Sequence, residues 1–261
     1  MVRHVERCRT PRSRGRPLKL FALAGIPEVM PGADLPALLA ELAAAQAVHS
    51  GDVLAVAQKI VSKSEGRVVV LAEVTPSPRA DALAELTGKD PQLCELILRE
   101  SARIVRRRGG TLICETHHGF VCANAGIDTS NTGSGTAVLL PVDADVSAKR
   151  IQREVSRAVG GRVGVIITDT HGRAFRRGLV NVALGVAGFE AIADCRGETD
   201  REGRVLVATE LAFADELAAA SGLLMGKAAG TPAVVISGVA TSPAPGTVAT
   251  LLRKPEHDLF R

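Results

Sequence analysis

Short apolar runs alternate with amphipathic stretches from Leu20 to near the C-terminus, and glycine, proline and polar turns separate them. The first run, LFALAGIPEV, predicts a brief strand that ends at Gly25 and Pro27. Asp34 stands where an N-cap is needed for a helix through LPALLAELAAAQAV, and Pro36 falls in the first turn, where no amide hydrogen is missed. After Gly51, GDVLAVAQKIV is apolar enough to predict a strand buried on both faces, running into a polar loop over Ser62 to Arg67. Val68 to Leu71 predicts another strand, and Ser77-Pro78 opens a short helix. Asp90-Pro91 starts a longer helix through QLCELILRESARIVRRR, which closes before Gly109-Gly110. In that reading Arg106, Arg107 and Arg108 complement the helix dipole.

Further on, TLICE and GFVCANA read as two short strands, followed by the glycine-rich GIDTSNTGSG and a strand through TAVLLP. A helix within SAKRIQREVSRAV closes at Gly160-Gly161 and leads into the apolar strand VGVIITDT. LVNVALGVAGFEAIAD is apolar but interrupted by glycine, and GETDREGR is a polar turn. ATELAFADELAAASGLLMG predicts an amphipathic helix and TPAVVISGV a last core strand. This order is too irregular for a doubly wound sheet and predicts an α+β fold with mixed sheets.

Composition narrows the picture. With 261 residues, 46% of them hydrophobic and 23% charged, the chain can bury a substantial core. Aromatic residues make up only 2%, so the core is aliphatic and stacking platforms for single-stranded nucleic acid are nearly absent. The formal net charge is +4, but residues 1 to 20 hold seven basic residues against one Glu, which leaves the rest slightly acidic. The basic character therefore belongs to a tail over residues 1–19, expected to be disordered, and residues 20–261 to one domain with room for two interleaved subdomains. No nucleic-acid partner is expected. The tail lacks the apolar core of a secretory signal, and no run approaches the ~18 apolar residues of a membrane span, so a cytoplasmic location and no membrane partner are expected. The five cysteines form no C-x-x-C pair and are expected to be reduced thiols.

Two segments carry candidate chemistry. The strand ending at Asp169-Thr170 is followed by Arg173, Arg176 and Arg177, which would deliver a carboxylate, a hydroxyl and guanidinium groups to an exit loop. A divalent metal beside a phosphate needs such groups. In ANAGIDTSN, Asp128 sits among Gly126, Ser130 and Asn131; it offers a second hard oxygen donor, and an Asx turn explains the same residues without any ligand. Arg173 and its neighbours could stabilise a transferring phosphoryl group, although an arginine-rich loop is often only a solvated turn. No GxxxxGK[ST] motif exists: GLLMGKA, Gly222 to Ala228, is one residue short and places Ala228 where a hydroxyl is required. Gly226, Lys227 and Gly230 at a helix end, and Lys59 and Lys63 after the second strand, offer further phosphate contacts. GSGTAV lacks the third glycine of a dinucleotide fingerprint. His117-His118 and His171 have no metal-ligand spacing, though His171 is close enough to Asp169 to line its site.

GDVLAVAQKIVSKSEGR, GFVCANAGIDTSN, VGVIITDTHGRAFRRGLVNVALGVAG and DELAAASGLLMGKAAGTPAVVISG, in this order, resemble the coenzyme F420:L-glutamate ligase family, the γ-glutamyl ligases of deazaflavin coenzyme maturation. The resemblance runs from about Leu20 to Val239. It implies an intertwined homodimer and a ligase that uses GTP as co-substrate with Mg²⁺ or Mn²⁺, and it admits a monovalent cation such as K⁺. The carboxylate of coenzyme F420-0 would be phosphorylated and then attacked by the amine of L-glutamate, releasing GDP and phosphate, with further γ-linked glutamates added in later rounds. In that family pattern Asp128, Asp169 and Thr170 match metal ligands, and Asp128, Asp169 and Arg173 would serve catalysis. Gly25, Ile26, Pro27, Glu28, Gln58, Lys59, Lys63, Asn131, Met225, Gly226, Lys227, Gly230 and Thr231 match nucleotide-binding positions. Arg176 and Arg177 would join Arg173 on phosphates or substrate. Lys227 stands where some relatives carry an acidic residue, so that either two aspartates and a hydroxyl suffice for the metal or Lys227 replaces a metal-side interaction with a direct phosphate contact. The nitroreductase-like domain of longer bacterial relatives is not expected, nor is redox chemistry. Outside the family, a metal-dependent phosphohydrolase or a non-catalytic nucleotide-binding protein would use the same residues.

Overall fold

The structure, a computed structural model, describes residues 17–130, 135–226 and 229–259. The basic tail up to residue 16 lies outside them, as do Asn131 and Lys227. In chain order the strands are β1 (Lys19–Ala22), β2 (Val53–Ala57), β3 (Val68–Val70), β4 (Ser101–Arg108), β5 (Thr111–Thr116), β6 (Val121–Ala123), β7 (Thr136–Val138), β8 (Gly164–Arg173), β9 (Arg176–Ala187), β10 (Ala193–Asp194), β11 (Glu210–Leu211) and β12 (Ala233–Ser237). The helices are α1 (Leu35–Ala45), α2 (Gln58–Ser64), α3 (Pro78–Thr87), α4 (Pro91–Arg99), α5 (Ala144–Val159) and α6 (Phe213–Met225). The architecture is mixed α and β: among the described residues, one mixed five-stranded sheet and three small antiparallel sheets, with helices packed against them.

A five-stranded sheet in the order β1-β12-β2-β8-β9 forms the centre, and only its β2–β8 pair is parallel. Its inner strands read as unbroken apolar runs because both faces are covered. On one face Leu54, Val56, Val165 and Ile167 pack with Leu39 of α1 and Ile151 of α5. On the other, Val53, Ala55, Ile166 and Val234 meet Phe213 and Leu217 of α6, with Phe189 edge-on to Phe213. Asp34 caps α1 by accepting from the Ala37 amide at 3.1 Å, and Asp143 caps α5 by accepting from Val146 at 2.9 Å. Residues between α2 and α5 build smaller sheets, β4-β5-β6 and β3-β7, and α3 and α4 close a separate core around Leu83, Ile97, Leu112 and Cys114. Among the described residues no helix is long and apolar enough to cross a membrane.

Three sequence expectations are corrected. The helix expected over residues 91–108 ends at Arg99, and Ser101–Arg108 is a strand, so Arg106, Arg107 and Arg108 cap no helix. Gly109-Gly110 is the two-residue turn of a hairpin that pairs Arg108 with Thr111, and the β-branched Ile104-Val105 suits that pairing better than a helix. The second strand stops at Ala57, and Gln58–Ser64 forms α2, where the Gln58 side chain accepts from Ser62 Oγ at 2.8 Å. Lys59 and Lys63, four apart, thereby share one helix face. Asp169-Thr170 lies within a strand rather than an exit loop: β8 continues to Arg173 and turns directly into β9.

Close approach fixes the α5 layer. A Cβ added at Gly185 of β9 would lie 2.3 Å from the Ala144 carbonyl oxygen at the start of α5. The next residue, Asp145, accepts from the amides of Val186 at 2.8 Å and Val248 at 3.0 Å and from Thr247 Oγ1 at 2.7 Å, which fastens the C-terminal segment to the same corner. Gly185→Ala is expected to cost roughly 1–3 kcal/mol, the usual range for overpacking against a backbone that cannot yield. Urea denaturation measures it, and an unchanged midpoint would mean that α5 gives way.

Candidate active site

Strand register gathers the site. In the parallel β2–β8 pair Ala57 lies opposite Thr168, so Gln58, which opens α2, comes level with Asp169. β12 runs antiparallel to β2, and the Ala57 amide donates to the Pro232 carbonyl at 2.8 Å, which puts Gly230-Thr231 at the same end of the sheet. On the far side of β12, Ala22 of β1 pairs with Val234 and the Leu23 amide donates to Ala233 at 3.0 Å, so the chain leaves β1 through Gly25, Ile26, Pro27 and Glu28 at that end too. Gly25 has a φ of +83°, and Gly226, which ends α6 after Met225, a φ of +53°; both values favour glycine.

The α2 lysines tie this edge together. Lys63 Nζ contacts Glu28 Oε1 at 2.5 Å and holds the 25–28 segment against α2. Lys59 Nζ lies 2.7 Å from Asp128 Oδ2 and donates to the Ser130 carbonyl at 2.8 Å. Asp128 Oδ1 accepts from the Ser130 amide at 2.7 Å and its hydroxyl at 2.6 Å, so the Asx turn is present, and Lys59 is bound to it. Burial pushes the Asp128 carboxyl up, but the Lys59 and Ser130 hydrogen bonds and the Lys59 charge together bring it below its ordinary value. The Asp128 backbone exchanges hydrogen bonds with Val138 of β7, and α2 packs against both β7 and β8.

Alternation along β8 sends Asp169 and His171 to one face and Thr170 to the other. The Thr170 hydroxyl donates to Asn181 Oδ1 at 3.0 Å, and Asn181 Nδ2 reaches Met225 Sδ at 3.6 Å. Gly222 of α6 makes room for this link, since a Cβ there would stand 3.2 Å from Asn181 Cγ. Asp169 Oδ2 lies 3.6 Å from His171 Nε2, beyond hydrogen-bond reach, and that buried nitrogen has no hydrogen-bond partner among the described residues. Burial, with the Asp169 charge beside it, pushes the Cys122 thiol of β6 up to about 12, so it stays protonated and is no nucleophile. Asp215 in the first turn of α6 accepts from the Ala183 amide at 2.8 Å; burial raises its pKa against the opposing pull of that amide and of His171.

Among the described residues no three His, Cys, Asp or Glu side chains are grouped to hold a metal. The chemistry of the edge nevertheless fits one: a partly exposed carboxylate, Asp169, stands beside an orphaned ring nitrogen, and a hard cation bound with phosphate needs few protein ligands. The arginines stand apart from this edge. Arg173 and Arg176 face each other at the tip of the β8–β9 hairpin, Arg173 Nη2 donates to the Arg177 carbonyl at 2.7 Å, and all three side chains are exposed. Sequence reading missed Asn181 and the bond from Lys59 to Asp128. The Asp128-to-Ser130 spacing signals the turn, but no local pattern couples residue 59 to residue 128 or residue 170 to residue 181.

Comparison with known proteins places this chain in a family. Residues 25–238 match the family model described as F420-0:Gamma-glutamyl ligase. The chain is 47% identical over 249 residues to the "Coenzyme F420:L-glutamate ligase" of Methanothermobacter thermautotrophicus, covering 94% of this chain and 99% of that protein. Proteins of the same description from Methanocaldococcus jannaschii and Halobacterium salinarum are 44% and 46% identical, over 85% and 83% of this chain and 90% and 85% of theirs. The matched span contains each described element of the sheet edge, from Gly25 through Thr231, and the chain belongs to the F420-0:gamma-glutamyl ligase family.

Proposed function

We propose that this chain joins L-glutamate to the terminal carboxylate of coenzyme F420-0, with GTP as the phosphoryl donor, and extends the product with further γ-linked glutamates. The observation that carries this reading is the family match over residues 25–238, a span that takes in the whole sheet edge. A carboxylate is a poor electrophile for an amine. Phosphorylating it supplies a leaving group, so the ligation passes through an acyl phosphate and releases GDP, phosphate and an amide.

The residues divide the work by position. Gly25, Ile26, Pro27 and Glu28, together with Gln58, Lys59, Lys63 and the segment Met225, Gly226, Gly230 and Thr231, bind the nucleotide; Asn131 and Lys227 complete this set in the family pattern. Lys59 is the pivot, because one ammonium already neutralises Asp128 at 2.7 Å and can turn to phosphate oxygens when an ion takes its place. Asp128 and Asp169 would hold Mg²⁺ or Mn²⁺; Thr170, the third metal ligand of the family pattern, projects from the opposite face of β8 and gives its proton to Asn181, so its oxygen would serve a separate ion. When bound, such an ion neutralises phosphate charge and polarises the transferring group. Arg173, Arg176 and Arg177 receive the anionic groups of the deazaflavin substrate from the exposed hairpin arm. That arm also carries Phe175, 90% exposed, and Leu179, 61% exposed, and this apolar surface supports a homodimer in which the arm packs on a second copy.

Mass spectrometry of F420-0 incubated with the chain, GTP, Mn²⁺ and L-glutamate should show a gain of one glutamyl residue, with later gains if the chain extends its product. GDP release that continues at the same rate without glutamate would instead identify a hydrolase. Asp169→Asn should lower turnover by roughly 10²-fold or more, the scale of removing a group that stabilises developing charge; undiminished turnover would remove Asp169 from the site.

Lys59→Met tests the pivot separately. With the ammonium gone, burial is opposed by Ser130 alone, and the Asp128 pKa should rise, as read by ¹³C NMR of its carboxyl. The sign follows from linkage: a depressed carboxyl stabilises the fold above its unfolded pKa of about 3.9 and loses that contribution as pH falls through the native value. The loss should therefore begin at higher pH in the variant, and an unmoved Asp128 would show that Lys59 contributes nothing to it.

A further inference from the structure

We infer that His171 is a nitrogen ligand of the divalent ion at Asp169 and so biases this enzyme toward Mn²⁺ over Mg²⁺. The inference rests on the reading of Asp169 as a metal ligand. It starts from an unmet need: His171 Nε2 is buried and has no hydrogen-bond partner among the described residues. A buried polar atom left in that state costs about 1–3 kcal/mol, so a native structure is expected to supply it with a water, an ion or a neighbour.

The neighbour on its own face is the Asp169 carboxylate, and the two do not satisfy each other. A protonated imidazole beside a carboxylate closes to a hydrogen bond of about 2.7–2.9 Å. Here the Nε2 to Oδ2 distance is 3.6 Å, too long for that bond. Two donors that each stand about 2.1 Å from a shared ion are about 3.0 Å apart at a right angle and about 4.2 Å apart when opposed. The observed 3.6 Å lies between these two values, so the pair would close by about 0.6 Å to take adjacent positions on an octahedral ion.

Strand geometry explains why these two side chains meet. Residues 169 and 171 are two apart on β8 and project to the same face, whereas Thr170 between them projects to the α6 side and is taken by Asn181. The ring is held in place: its side chain is only 13% exposed, against 24% for Asp169, so the nitrogen lines the closed side of the site and the carboxylate the open side. Water and phosphate oxygens can then fill the remaining positions from solvent. Mg²⁺ prefers an all-oxygen shell, while imidazole nitrogen suits transition metals, so one such ligand shifts selectivity toward Mn²⁺.

Pulsed electron paramagnetic resonance of Mn²⁺ added to the full chain tests this without an activity assay. The wild-type protein should show ¹⁴N modulation from one imidazole. His171→Asn should lose the modulation and bind Mn²⁺ at least about tenfold more weakly, the lower bound for disturbing even an outer partner of a metal site. Its preference for Mn²⁺ over Mg²⁺ in competition should fall as well. Tight Mn²⁺ binding that is lost in Asp169→Asn but shows no nitrogen modulation in wild type would overturn the role of His171 and leave Asp169 as a ligand. Modulation that persists in His171→Asn would assign the nitrogen elsewhere and overturn it too. Absence of Mn²⁺ binding to the wild-type chain would overturn both readings.

Discussion

The backbone register of β2 between β8 and β12 is the constraint on which the site depends. Ala57 ends its strand opposite Thr168 on one side and hydrogen-bonds Pro232 on the other. That single residue therefore decides that Asp169, the start of α2 and the 230–231 segment share one end of the sheet. A slip by one residue would turn each side chain of β2 to the opposite face and put Val56 and Ala55 in the wrong cores. The apolar layers on both faces of the sheet thus protect the position of the polar groups at its end.

Charge then couples what register brings near. Lys59 and Lys63 lie on one face of a two-turn helix, and each holds a carboxylate from a different segment, Asp128 and Glu28. Asp128 is kept ionised despite its burial because Lys59 and Ser130 together outweigh the loss of water. Such a pair suits the exchange proposed above, in which a cation arriving at Asp128 would replace one positive charge by another and free the ammonium for phosphate. On the other face of β8, Thr170, Asn181 and Met225 link the strand to the end of α6, so the two sides of the hairpin are supported separately.

The candidate residues were legible in the order of the residues. Asp128, Asp169, Thr170, Lys59 and Lys63 stand out because the motifs around them carry the family resemblance. The caps at Asp34 and Asp90 were equally local, since each needs only an oxygen within three residues of the amide it serves. Where the reading failed, the competing partner was remote. SARIVRRR has a helical spacing of apolar residues, but it becomes a strand because TLICE is ready to pair across Gly109-Gly110. QKIV looks like the end of a strand, but β12, which begins at Ala233 opposite Val56, has no further strand residues to pair with it.

Sequence by itself determined the residue types, the caps, the apolar runs, the family and the absence of a P-loop, because these depend on local spacing and on side-chain chemistry. Tertiary structure decided which of those residues meet. It placed Lys59 on Asp128, set Asn181 between Thr170 and Met225, put the three arginines on an exposed arm and left His171 Nε2 buried beside Asp169 with no hydrogen-bond partner among the described residues. The physical reason is that hydrogen-bond register and strand alternation convert positions far apart in the chain into distances of a few ångströms, and no local pattern encodes that conversion.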